Sequence, residues 1–180
     1  MNILEIILTG ISLAGDAFTI SICKGLNAKR KRHAIKVALY FGFFQFLMPI
    51  LGYYLGNVFS EKIIHFNPYI STILLVAIGI LMIKGDDNFG LSNNLDFKEM
   101  FLLSIATSID ALVIGISFSF LKVNILLSSI IIGIITTIMC FIGFLLGHMF
   151  NKKVGTYSNL IAGCILILLG IKIFVQKIFN

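Results

Sequence analysis

The stretches ISLAGDAFTISIC, residues 11–23, and SIATSIDALVIGIS, residues 104–117, decide the reading of this chain. Each is an apolar run broken by one aspartate, Asp16 in the first and Asp110 in the second. In both, Ala follows the Asp, and isoleucines stand four and six residues beyond it. Such a run reads as a membrane-crossing helix. An ionised carboxylate inside one costs about 2.5–3.5 kcal/mol even on a lenient insertion scale, and marks a pathway or binding site by default. One in each half of the chain points to a site for a cation, a proton or both.

The rest of the sequence fits that frame. Of 180 residues, 58% are hydrophobic and 12% charged, with a mean hydropathy of +1.03. This is the composition of an all-α, polytopic membrane protein. Six apolar stretches are expected to cross the bilayer: Ile3–Cys23, Val37–Val58, Tyr69–Ile83, Met100–Leu121, Ile125–Phe150 and Ser158–Phe179. Each is near the roughly 20 residues that hydrocarbon requires. Together they leave a single membrane domain over 1–180, with no room for an ATPase module and no GxxxxGK pattern. The first stretch lacks a basic lead-in and carries Asp16, so it reads as a retained helix and not as a cleaved signal.

The net charge of +6 reads as membrane anchoring, not nucleic-acid binding. Lys24, Lys29, Arg30, Lys31, Arg32 and Lys36 crowd one loop, where they meet anionic lipid heads. With that loop in the cytoplasm, ten of the fourteen Lys and Arg residues lie inside, and both termini are expected outside. The three cysteines, Cys23, Cys140 and Cys164, are odd in number and lie in apolar spans, so they read as packing residues.

The halves repeat each other. Asp16-Ala17 aligns with Asp110-Ala111 at an offset of 94; beyond a shorter connection the offset is 91, and Gly42, Met48, Gly52 and Gly56 meet Gly133, Met139, Gly143 and Gly147. We read repeat one as 1–84, a cytoplasmic linker as 85–99 and repeat two as 100–180. A three-helix unit enters from opposite sides in its two copies, which gives six transmembrane helices as two inverted three-helix repeats. Secondary transporters built this way bind their cargo near the midplane, at the repeat interface.

Hydroxyls flank both carboxylates. Ser12, Asp16, Thr19 and Cys23 are spaced four, three and four apart and share a helical stripe. Thr107, Asp110 and Ser117 form a comparable stripe. Gln45 aligns with Thr136, and each offers a neutral oxygen. Oxygen ligands suit Mg²⁺, Ca²⁺ and Mn²⁺, and two carboxylates balance a charge of +2. Ser and Thr in membranes also bond to their own helix carbonyls, which is the competing role for each hydroxyl. His33, His65 and His148 show no ligand spacing. Gly52 and Gly56, like Gly143 and Gly147, form GxxxG pairs that let helix backbones approach.

The motifs LAGDAFTISICKG (13–25), FGFFQFLMPILG (41–52) and ATSIDALVIGISF (106–118) resemble the manganese efflux pump MntP family, over nearly the whole chain. The resemblance implies a bacterial inner-membrane protein of the lysine-exporter-like superfamily. It would be no enzyme and need no cofactor, with Mn²⁺ as transported cargo. It implies Asp16 and Asp110 as site acids and a structural or gating role for Gly25. Some members of that family carry an acid where this chain has Gln45.

Expelling a divalent cation against a negative-inside potential costs about 4.6 kcal/mol per 100 mV, so coupling is required, and proton exchange at the aspartates is the expected source. Two alternatives use the same features. An intramembrane aspartic protease needs two membrane aspartates, but the motifs read LAGD and SIDA and not GxGD. An amino-acid exporter needs a basic partner at mid-depth, and none is present in the sequence there. Nothing in the pattern specifies an oligomeric state.

Overall fold

The computed structural model describes residues 2–28, 31–84, 97–121 and 123–154, with isolated positions between 160 and 175; within α2, side chains beyond Gly56 are described at a few positions only. Among the described residues all regular structure is helical: α1 (Ile3–Asn27), α2 (His33–Lys84), α3 (Phe97–Phe120) and α4 (Ile125–Val154). Stretches Ile3–Leu26, His33–Gly56, Phe97–Phe120 and Ile125–Phe150 are each long and apolar enough to cross a membrane.

Local chemistry sets several of these ends. The Asn2 N–H donates to Glu5 Oε2 at 3.1 Å at the start of α1, and Asn124 Oδ1 accepts the Leu127 N–H at 3.2 Å at the start of α4. Both satisfy donors that a helix N-terminus leaves open. The start of α3 lies at Phe97, so the last three residues of the expected linker 85–99 are helical. Its earlier part, 85–96, lies outside the described residues.

The second expected segment falls on α2, but α2 continues unbroken to Lys84. At 1.5 Å per residue its 52 residues measure roughly 78 Å, against about 30 Å of hydrocarbon. Among the described residues, its His33–Gly56 part is long and apolar enough to cross. The side chains of the expected third segment, Tyr69–Ile83, lie largely outside the described residues, as does most of the sixth, Ser158–Phe179.

Between membrane helices the apolar effect gives little drive, and close backbone approach takes its place. α1 packs along α4, α2 along α3, and α2 crosses α4; α1 touches α3 only lightly. Gly10 lies against Ile132 and Ile135 while Gly25 lies against Phe144 and His148, so α1 and α4 run parallel. A Cβ at Gly52 would strike the Leu112 carbonyl, and one at Gly56 the Ser119 hydroxyl and Ile116 carbonyl; at Gly143 the neighbour is Phe18, and at Gly147 it is Ile22. These contacts correspond pair by pair under the offsets of 94 and 91. Hydrogen bonds add to the α1–α4 seam: Ser21 donates to the Cys140 carbonyl at 2.5 Å, and His148 Nδ1 lies 2.9 Å from the Ala28 carbonyl.

Two apolar clusters fill the interior at different depths. The larger joins Ile20 and Cys23 of α1, Val37 and Phe41 of α2, Met100 and Leu103 of α3, and Phe144 of α4. It lies toward the end that carries Lys24, Lys31 and Arg32, here called the basic end. The smaller joins Leu13, Ala111, Phe118 and Ile132 toward the opposite end.

Candidate functional site

Asp16 and Asp110 lie between the two clusters, on α1 and α3, and both are half-buried. Their carboxylates are near enough to interact electrostatically, although their helices barely touch. Asp110 Oδ1 also accepts the Ala111 N–H at 2.8 Å. Beside Asp16, a Cβ at Gly15 would meet no heavy atom of the described residues within 4 Å.

Buried neutral oxygens lie on the helices packed against α1. Gln45 is fully buried; its Nε2 donates to the Leu13 carbonyl at 3.2 Å, one turn from Asp16. That bond leaves Gln45 Oε1 with no hydrogen-bond partner among the described residues, and the same holds for the buried Thr136 Oγ1. An orphaned buried oxygen costs about 1–3 kcal/mol and is the kind of group that accepts a cation. These are the two positions aligned in the repeat. The Ser104 and Ser129 hydroxyls are also buried without partners.

The stripe hydroxyls donate to their own helices. Thr19 Oγ1 donates to the Gly15 carbonyl at 3.0 Å, Thr107 Oγ1 to the Leu103 carbonyl at 3.0 Å, and Ser117 Oγ to the Val113 carbonyl at 3.2 Å. Each spends its proton on the backbone and keeps oxygen lone pairs. Ser12 is exposed, Asp16 and Thr19 are half-buried, and Cys23 is buried at 1%. The α1 stripe therefore passes from open to closed toward the basic end. On α3, Thr107 is buried while Asp110 and Ser117 are half-buried, the same gradient.

Among the described residues no three His, Cys, Asp or Glu side chains cluster as a metal site. What the fold brings together is two carboxylates near enough to interact. A cavity of about 490 Å³ lined by Leu39, Tyr40, Phe43, Phe44, Phe97 and Phe101 contains none of these residues and is apolar.

Sequence reasoning placed Lys24 in the basic loop and Glu99 in the linker. In the structure both are buried helix-end residues, at 7% and 3% exposure, and Lys24 Nζ donates to Glu99 Oε1. The available signal was their position: a cation in the last turn of α1 and an anion in the first turn of α3, where helix dipoles favour each.

Fold and site together define a multi-pass helical membrane protein with two interacting carboxylates inside its spans. The model of the family described as "Putative manganese efflux pump" matches residues 28–174, and the chain belongs to this family. It is 40% identical to a protein of Mannheimia succiniciproducens named putative manganese efflux pump MntP, over 98% of this chain and 97% of that one. It is 40% identical to a Clostridium perfringens protein of the same name, over 98% and 95%, and 39% identical to one of Methanobrevibacter smithii, over 96% of each. No solved structure matches the chain.

Proposed function

We propose that this chain is a secondary transporter that exports Mn²⁺ from the cytoplasm through a midplane site built on Asp16 and Asp110. The observation that carries this reading is the pair of carboxylates near enough to interact from helices that barely touch, with the buried, unpartnered oxygens of Gln45 and Thr136 among the described residues of the neighbouring helices. The names of the relatives supply the cargo. In this reading Thr19, Thr107 and Ser117 add neutral oxygens, and Ser12 is the first polar group on the path outward. Gly25, Gly52, Gly56, Gly143 and Gly147 hold the helices close enough for that geometry.

The architecture proposed is six transmembrane helices in one membrane domain over 1–180, as inverted repeats 1–84 and 100–180 joined by a cytoplasmic linker. The matched glycine contacts support it, as does the parallel course of α1 with α4. That architecture needs two spans to part at the polar stretch Ser60–Pro68, where α2 runs on as one helix in the structure and where Pro68 removes a helix hydrogen bond. The basic end faces the cytoplasm, and both termini face outward, in the inner membrane of a bacterial cell.

Discharge of the metal outside is assigned to proton entry at the aspartates. A carboxylate that accepts a proton loses its charge and with it its hold on a cation. The chain carries out no enzymatic step in this account; a paired-aspartate protease would need GxGD chemistry that the motifs lack. Inverted vesicles test the coupling: Mn²⁺ accumulation should rise several-fold when the lumen is made acidic, and collapse with a protonophore. Uptake indifferent to the pH gradient would remove the proton from the mechanism and leave the metal site standing.

A further inference from the structure

The Lys24–Glu99 pair joins the two helices that bear the aspartates. Lys24 lies eight residues beyond Asp16, and Glu99 eleven before Asp110, so the pair sits about 12–16 Å from the acids along the helix axes. We propose that this ion pair latches a cytoplasmic gate, which parts to admit a divalent cation to Asp16 and Asp110, and that the conformation described here is closed on that side. The proposal rests on the reading of the chain as a cation exporter.

Three observations support the latch. The stripe on α1 is exposed at Ser12, half-buried at Asp16 and closed at Cys23 and Lys24, so the acids are shut off toward the basic end and not toward the other. The larger apolar cluster fills that shut end, from Ile20 to Phe144. The repeat is also broken here. At the offset of 94, Glu99 corresponds to Glu5 and Lys24 to Phe118. Glu5 is exposed and accepts the Asn2 N–H, while Phe118 is buried at 3%. The aligned positions thus differ at the two ends, with an ion pair at the basic end and no charge pair at these positions at the other.

An ion pair suits a closure that must reopen. Two buried charges lose their hydration, and their attraction repays that loss only while geometry holds. Once water enters, each charge is solvated and the closed form loses its advantage. A cation arriving from the cytoplasm also competes with Lys24 for the Glu99 carboxylate. A purely structural staple would be served as well by apolar side chains.

Cys23, buried at the closed end, reports on the gate. Cys140→Ala and Cys164→Ala leave it as the one thiol of the chain. A membrane-impermeant maleimide added to inverted vesicles should label this parent slowly. Lys24→Gln or Glu99→Gln should speed labelling by roughly tenfold, the swap Lys24→Glu with Glu99→Lys should recover most of the protection, and Glu99→Asp should fall between. Inserted single variants as protected as the parent, or a swap that labels like the singles, would overturn the latch. If the singles fail to insert, Glu99→Asp decides: unchanged protection there overturns it too. Mn²⁺ should speed labelling of the parent and leave an Asp16→Asn version unchanged. Variants that open while Mn²⁺ has no effect would uphold the latch and reject the metal reading.

Discussion

Gly42 of α2 and Gly133 of α4 meet where the two helices cross: a Cβ on either would lie 3.0–3.1 Å from the other's carbonyl oxygen. These residues are also aligned with each other in the sequence repeat. A residue and its repeat mate touch only near the axis that relates the copies, so this crossing is where a pseudo-twofold axis would pass. The prediction is that glycines facing backbone tolerate no side chain. Gly52→Ala, against the Leu112 carbonyl, should lose about 1–3 kcal/mol by overpacking. Gly15→Ala, which meets none of the described residues, should be neutral or gain up to about 1 kcal/mol from helix propensity. Thermal unfolding in detergent compares them; equal losses would contradict the packing described.

The orientation can be read by labelling. With a cysteine at Lys31 in a background without native cysteines, a membrane-impermeant maleimide should fail to react in intact cells and react readily in inverted vesicles. Ready labelling from outside would reverse the topology and the direction of transport inferred from it.

Gln45 offers a test of the neutral ligands. Its Oε1 is buried without a partner among the described residues, so Gln45→Glu would place a third carboxylate beside the acids. Mn²⁺ affinity should rise about tenfold or more, and release should need a more acidic outside, because one further proton must discharge the metal. Gln45→Leu removes the oxygen and should weaken binding while leaving insertion intact. Affinity and flux measured against pH would separate the three forms; identical curves would take Gln45 out of the site.

Much of this was legible in the sequence, for reasons that mark its limits. Asp16 and Asp110 stood out because hydrocarbon makes a carboxylate costly, and Gln45 with Thr136 because they occupy matching places in the repeat. The glycine contacts followed from a small-residue pattern that membrane packing demands. Stripe spacing, in contrast, gives angle and not depth. Ser12 and Cys23 share a face of α1, yet one is exposed and the other buried, because the neighbouring helices close in only at the basic end. Lys24 and Glu99 were missed because the charge rule counts basic residues by loop and disregards acids, whereas their pairing depends on how α1 and α3 converge. The run of α2 through Ser60–Pro68 to Lys84 was not legible, because that polar stretch interrupts the apolar pattern and reads as a connection between two spans.

The central claim is that Asp16 and Asp110 carry the cation. Initial Mn²⁺ uptake into inverted vesicles, matched for inserted protein, compares the parent with Asp16→Asn and Asp110→Asn. Each variant removes one of two charges that balance a divalent ion, which at a few kcal/mol lowers uptake by about a hundredfold or more. Thr107→Ala, which removes one neutral oxygen, should lower it less than tenfold. Uptake near the parent rate in both aspartate variants would contradict the account.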